Sequence, residues 1–190
     1  PADGLKTLKD WIEAGAPKPR DGGVTPPKFI SNKEILEFIL ADLENQPENE
    51  RPFTRYFTIT HLHNALEPSD AMHNYRTALS KLVNSLTWRN RIINPTPIDP
   101  YKTVLRIHLK DYSWNEDLWD EAIIKNYYPY PYVVDYPYPE HDKIQKLTGS
   151  SVPFVRADWF IANGAKPKLY HAILNLPETA QELEQVKLNL

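Results

Sequence analysis

"RPFTRYFTITHLHNALE", Arg51–Glu67, decides how this chain is read. Its aromatic and β-branched content suits a strand. Yet Phe53, Tyr56, Phe57 and Thr60 also share one helical face. We read the stretch as helix, which makes the elements before Thr103 helical throughout.

Upstream, Ser31 and Glu34 have the spacing of a capping box, with Ile30 placed to staple onto Ile35. Ile35, Leu36, Ile39 and Leu43 then line one face of a helix running to about Asn45. Downstream, Ser69 caps a helix in which Met72, Tyr75, Leu79, Leu82, Val83 and Leu86 keep a 3.6-residue period. From Thr103 the period changes to two. Leu105, Ile107 and Leu109 alternate with Val104, Arg106, His108 and Lys110, predicting a strand with one dry face. Further helices are predicted over about 115–125, 140–148 and 156–163, and from Thr179, where Glu182 completes a second capping box. The expected fold is mainly α: a helical domain with a small β element and a Pro/Tyr-rich extended loop. Leu105, Ile107 and Leu109, with Trp88, Trp114, Trp119 and Trp159, are expected in its core.

Toward the amino end, "LKTLKDWIEAGAP" places Leu5, Leu8, Trp11 and Ile12 on one stripe. "PKPRDGGVTPPK" then has no apolar period. The expected division is a terminal helix over 1–16, a linker over 17–28 and the helical domain over 29–190. The chain starts at Pro1 without a signal peptide, which predicts a processed piece of something longer.

Composition excludes several chemistries. Net charge is −3 with a pI near 6.1, which supplies no basic field for nucleic acid and no polybasic patch for an anionic membrane. No apolar run approaches the ~20 residues of a membrane span. The absence of cysteine removes disulfides, thiolate nucleophiles, Cys-ligated zinc, iron–sulfur clusters and covalent haem. The six glycines form neither GxGxxG nor GxxxxGK, so no phosphate cradle is expected.

Candidate sites each carry a plainer alternative. His61 and His63, with His73 ten residues on, would pinch a metal from a strand but diverge by about 200° on a helix. With helix assigned they are expected to be local hydrogen-bonding partners. Met72, the single methionine, could serve as a soft axial ligand, but its place on the apolar stripe makes it core filler. His108 is expected to be solvated. Glu116, Asp117, Asp120 and Glu121 lie near Trp114 and Trp119, a composition that suits sugar hydrolysis. It equally describes the polar face of an ordinary helix. No serine sits in GxSxG or SxxK.

"NYYPYPYVVDYPYP", Asn126–Pro139, holds six of the eleven tyrosines. Its prolines fix φ and hold the preceding residues extended. The rings of Tyr128, Tyr130, Tyr132, Tyr136 and Tyr138 are therefore presented with little residual freedom. They form a strap over the core first, and a binding surface for glycan or peptide second.

"WIEAGAP", "RPFTRYFTITHLHNA", "YRTALSKLVNSLTW", "IDPYKTVLRIHLKDYSW", "YPYPY" and "VRADWFIANGAKPKLYHAILNLP" together resemble the N-terminal region of large exported bacterial proteins carrying c-type cytochrome modules. Such proteins are common in planctomycetes and marine proteobacteria. Residues 1–16 are similar to the last helix of their small cytochrome-c-like domain. The resemblance implies a periplasmic, cell-surface or secreted setting and a link to electron transfer. Its partners would be neighbouring cytochrome modules, and a protein or polysaccharide. Haem attachment there needs Cys-x-x-Cys-His, which this chain lacks, so any haem c belongs to flanking regions. The implied role is a non-catalytic helical spacer or interaction domain. The alternatives are a glycan-active or metal-dependent hydrolase, a glycan-binding module, or a donor of an axial ligand, from a histidine or Met72, to a haem held elsewhere.

Overall fold

The computed structural model describes residues 27–126, 130–177 and 179–185, together with Lys6, Lys9, Asp10, Ile12 and Glu13, which are helical. The rest of the predicted terminal helix, most of the linker, and Tyr128 lie outside the described residues. The described chain is mainly helical around a small four-stranded sheet, as the periodicities predict.

Ser31 caps α1 (Asn32–Glu44) through the predicted box, with Glu34 bonding back to the Ser31 amide at 2.9 Å. The stretch that opened the reading is not one helix. A short 3-10 turn, Arg51–Phe53, leads into β1 (Thr54–Thr58), and only then does α2 (Thr60–Asn64) begin. The helical reading failed because β1 is buried along its whole length. Phe57 enters one core and Tyr56 the opposite one, a division that only a strand with both faces covered can make.

After α2 the chain forms α3 (Ser69–Ser85), which carries the predicted stripe. Met72, Leu79 and Val83 are buried there, although Ser69 opens the helix without a side-chain cap. β2 (Thr96–Pro97) and β3 (Val104–His108) follow. β4 (Val155–Arg156) comes much later, and the strand order is β2-β3-β1-β4. β1 pairs antiparallel to β3, Tyr56 opposite Arg106, and parallel to β4, Phe57 opposite Val155.

Two cores result. Phe57, Leu105 and Ile107 face α3, α5 (Ala157–Asn163), α6 (Pro167–Leu174) and the helical segment Leu118–Asn126. Tyr56 and Val104 face α1 and α4 (Pro139–Thr148). The expected polar face of β3 is therefore covered. Val104 is fully buried, Arg106 donates to Asp42 on α1 at 2.6 Å, and His108 lies 2.6 Å from Glu50 rather than in open water.

Leu118–Asn126 is π-helical instead of the predicted α-helix. The wider i→i+5 register stacks Trp119 on the same side as Ile123 and Ile124. All three are buried. Of the expected core tryptophans, Trp114 and Trp119 are buried and Trp159 is half-buried against the core. Trp88 is 61% exposed, with its indole N–H donating to the Leu174 carbonyl at 2.8 Å. The second capping box forms as predicted, with Thr179 and Glu182 opening α7 (Ala180–Leu183).

Candidate functional site

The described part of the tyrosine strap, 130–138, has no regular secondary structure and crosses the end of β4. Its rings divide by depth. Tyr130 is buried, accepts the Arg156 backbone N–H at its hydroxyl (2.8 Å), and stands edge-on to Trp159 at 5.1 Å. Burial pushes its phenol pKa up. Tyr136 is half-buried against Phe154, and Tyr138 is half-buried against the same core. Tyr132 is 42% exposed and lies beneath the Arg156 guanidinium, 4.2 Å from ring centroid to guanidinium carbon.

Between the strap and the start of α1 lies a cleft of about 220 Å³. Tyr130, Tyr132 and Tyr136 line one wall, Asn32 and Ile35 another, and His61 and Arg156 bring titratable groups to it. Asn64 holds the wall before α1 in place. Its side chain accepts from the Ile30 amide at 2.9 Å and donates to the Ile30 carbonyl at 2.8 Å, as a paired strand would. Beneath the cleft, Thr58, Thr60 and Thr103 pass hydroxyl hydrogen bonds to Asp99.

At the edge of the cleft, His61 Nε2 lies 3.2 Å from Asp158 Oδ2, and Arg156 grips the same carboxylate at 2.7 and 3.2 Å. Burial alone would raise the Asp158 pKa. The contacts of His61 and Arg156 outweigh it and hold the carboxyl well below its ordinary range.

The histidines do not converge. His61 meets Asp158, His63 meets the Lys28 carbonyl at 3.0 Å, and His73 meets Thr77 on α3. Among the described residues no three His, Cys, Asp or Glu side chains form a group that could hold a metal. Met72 is buried in the core.

The four acidic candidates also part. Asp120 accepts from Ser150 Oγ at 2.7 Å and lies 3.8 Å from the buried guanidinium of Arg55, whose field also includes Glu116. Asp117 and Glu121 edge an open groove of about 580 Å³, with Glu121 paired to Lys125 at 2.7 Å.

Arg156, Asp158, Asn64 and Asp99 escaped the sequence reading. Only the i,i+2 opposite charges of Arg156 and Asp158 at a helix start, and the Asp99-Pro100 turn signal, point toward them in the sequence.

No family model, curated protein or solved structure matches this chain, so the site is read from its own geometry.

Proposed function

We propose that this chain is a non-catalytic interaction domain of an exported c-type-cytochrome-containing protein, and that its strap cleft docks one unit of a polysaccharide. The setting is supported by the six stretches that resemble such proteins. The docking role is supported by one observation: Tyr132 is left open beside a small cleft while Tyr130, its neighbour, is locked into the fold. A cleft of about 220 Å³ is below the ~300–1,000 Å³ that encloses a drug-sized molecule, and it suits a single sugar ring. Aromatic face and amide are the groups that take a sugar's C–H face and hydroxyls.

Cellohexaose and mannohexaose, titrated against the chain with intrinsic fluorescence as the readout, test the docking role. Saturable quenching that is lost in Tyr132→Ala and retained in Trp88→Ala is expected. No response to either sugar, or an unaltered response in Tyr132→Ala, overturns it. The setting is tested separately. The native protein isolated from its source should show the α band of a c-type haem when reduced, and a colourless preparation overturns that half.

A second reading is hydrolysis with His61, oriented by Asp158, as general base; it requires the imidazole to turn toward the cleft, since both of its nitrogens are shielded from solvent in the structure. Chromatography of the same titration mixtures separates the two. Shortened oligosaccharides that disappear in His61→Gln would replace docking by catalysis.

A further inference from the structure

Another cleft, of about 670 Å³, shares no residue with the strap cleft. It runs between α3 and residues 92–97. His73, Arg76 and Lys81 reach it from α3, and among the described residues no carboxylate lines it. Arg76 and Lys81 have no ion-pair partner among the described residues. In a chain of net charge −3, an acid-free groove with two uncompensated cations is a local reversal of sign.

The groove is held open in advance. The Asn84 side chain donates to the Ile93 carbonyl and accepts the Ile93 amide, both at 2.8 Å. Ser80 ties Asn94 to the helix at 2.6 Å. Ile92, 78% exposed, and Pro95 and Pro97 add apolar surface. Among the described residues no Phe, Tyr or Trp ring lines the groove, so a sugar finds no broad stacking platform there. Pro97 in β2 and Pro95 before it carry no N–H, so an occupant is held by side chains rather than as an added strand.

We propose that this groove binds an extended acidic segment of a partner protein. Its carboxylates would meet Arg76 and Lys81, and its aliphatic side chains Ile92, Pro95 and Pro97. Arg76 and Lys81, five residues apart on α3, are offset by about 140° around the helix as well as about 7.5 Å along it, so their charges flank the groove rather than stand in one row. The matching segment therefore carries acids interspersed with aliphatic residues.

The test uses the whole chain and a fluorescein-labelled hexapeptide of alternating Glu and Val, followed by anisotropy. Saturable binding is expected, weakened about tenfold or more by Arg76→Glu/Lys81→Glu. It should weaken again between about 0.05 M and 0.5 M salt as screening shortens the reach of the charges. A Lys-Val peptide should not bind, and Tyr132→Ala should leave the affinity unchanged. Arg76→Gln/Lys81→Gln, checked by circular dichroism, guards against misfolding and should also weaken binding. Absence of saturable binding, an affinity in both double variants equal to that of the unaltered chain, or binding of polygalacturonate in place of the peptide would each overturn the proposal.

Discussion

The Tyr130 hydroxyl accepts the backbone N–H of Arg156 at 2.8 Å, joining the strap to β4 across twenty-six residues of sequence. Tyr130→Phe keeps the ring against Trp159 but leaves that amide without its acceptor, a loss of about 1–2 kcal/mol. Tyr130→Ala also empties a buried aromatic site and should cost about 3–5 kcal/mol. Urea denaturation measures both. Equal losses would mean that the hydroxyl carries the whole effect.

Asp158 holds His61 and Arg156 together, and its folded pKa is depressed. Such a group contributes stability that is present above the unfolded value near 3.9 and lost as pH falls through the folded one. Asp158→Asn should therefore destabilise by about 1 kcal/mol at pH 7, a modest figure because a quarter of the side chain still meets water. The deficit should shrink progressively below pH ~4. Denaturation midpoints of the two proteins over pH 2–7 check this, and parallel curves would contradict it.

Arg55 is 98% buried by its side chain, yet Nε and Nη2 lack hydrogen-bond partners. Nη1 donates to the Pro52 and Thr54 carbonyls at 2.6 and 2.9 Å. Burial lowers its pKa while Asp120 and then Glu116 oppose the fall. Removing the nearer anion leaves a buried cation with only the weaker field of Glu116, so Asp120→Asn should cost about 3 kcal/mol. Arg55→Met removes the charge itself and should cost less. In a double-mutant cycle the pair should lose clearly less than the sum of the two single changes.

Two glycines should fail for opposite reasons. Gly149 ends α4 at φ +76°, with nothing near a Cβ, so Gly149→Ala meets only backbone strain of about 1 kcal/mol. A Cβ on Gly164 would stand 3.0 Å from both Leu82 Cδ2 and the Phe160 carbonyl. Gly164→Ala should then push α3 from α5 and cost about 1–3 kcal/mol. Thermal melts should rank Gly164→Ala below Gly149→Ala.

Much of the fold was legible because it rests on local signals. The boxes at Ser31–Glu34 and Thr179–Glu182 formed as spaced, and the α3 stripe buried Met72, Leu79 and Val83. Short elements were not legible. β2 and β4 are two residues each, too brief for any period, and α6 was passed over. The π register of Leu118–Asn126 preserves the same composition as an α-helix and changes only which residues align. Of the candidate site, the strap tyrosines were visible as a cluster, but their sorting into buried Tyr130 and open Tyr132 was not.

Residue order by itself determined the capped starts of α1 and α7, the apolar stripes and the stiffness of the Tyr/Pro segment, since each depends on neighbours within about five positions. Only the tertiary structure decided that Thr54–Thr58 is a strand, that Val104 is dry, and that His61 meets the Arg156–Asp158 pair. The reason is common to all three. A strand gains its hydrogen bonds, and a charge its partner, from residues tens to a hundred positions away, and local periodicity carries no information about that distance.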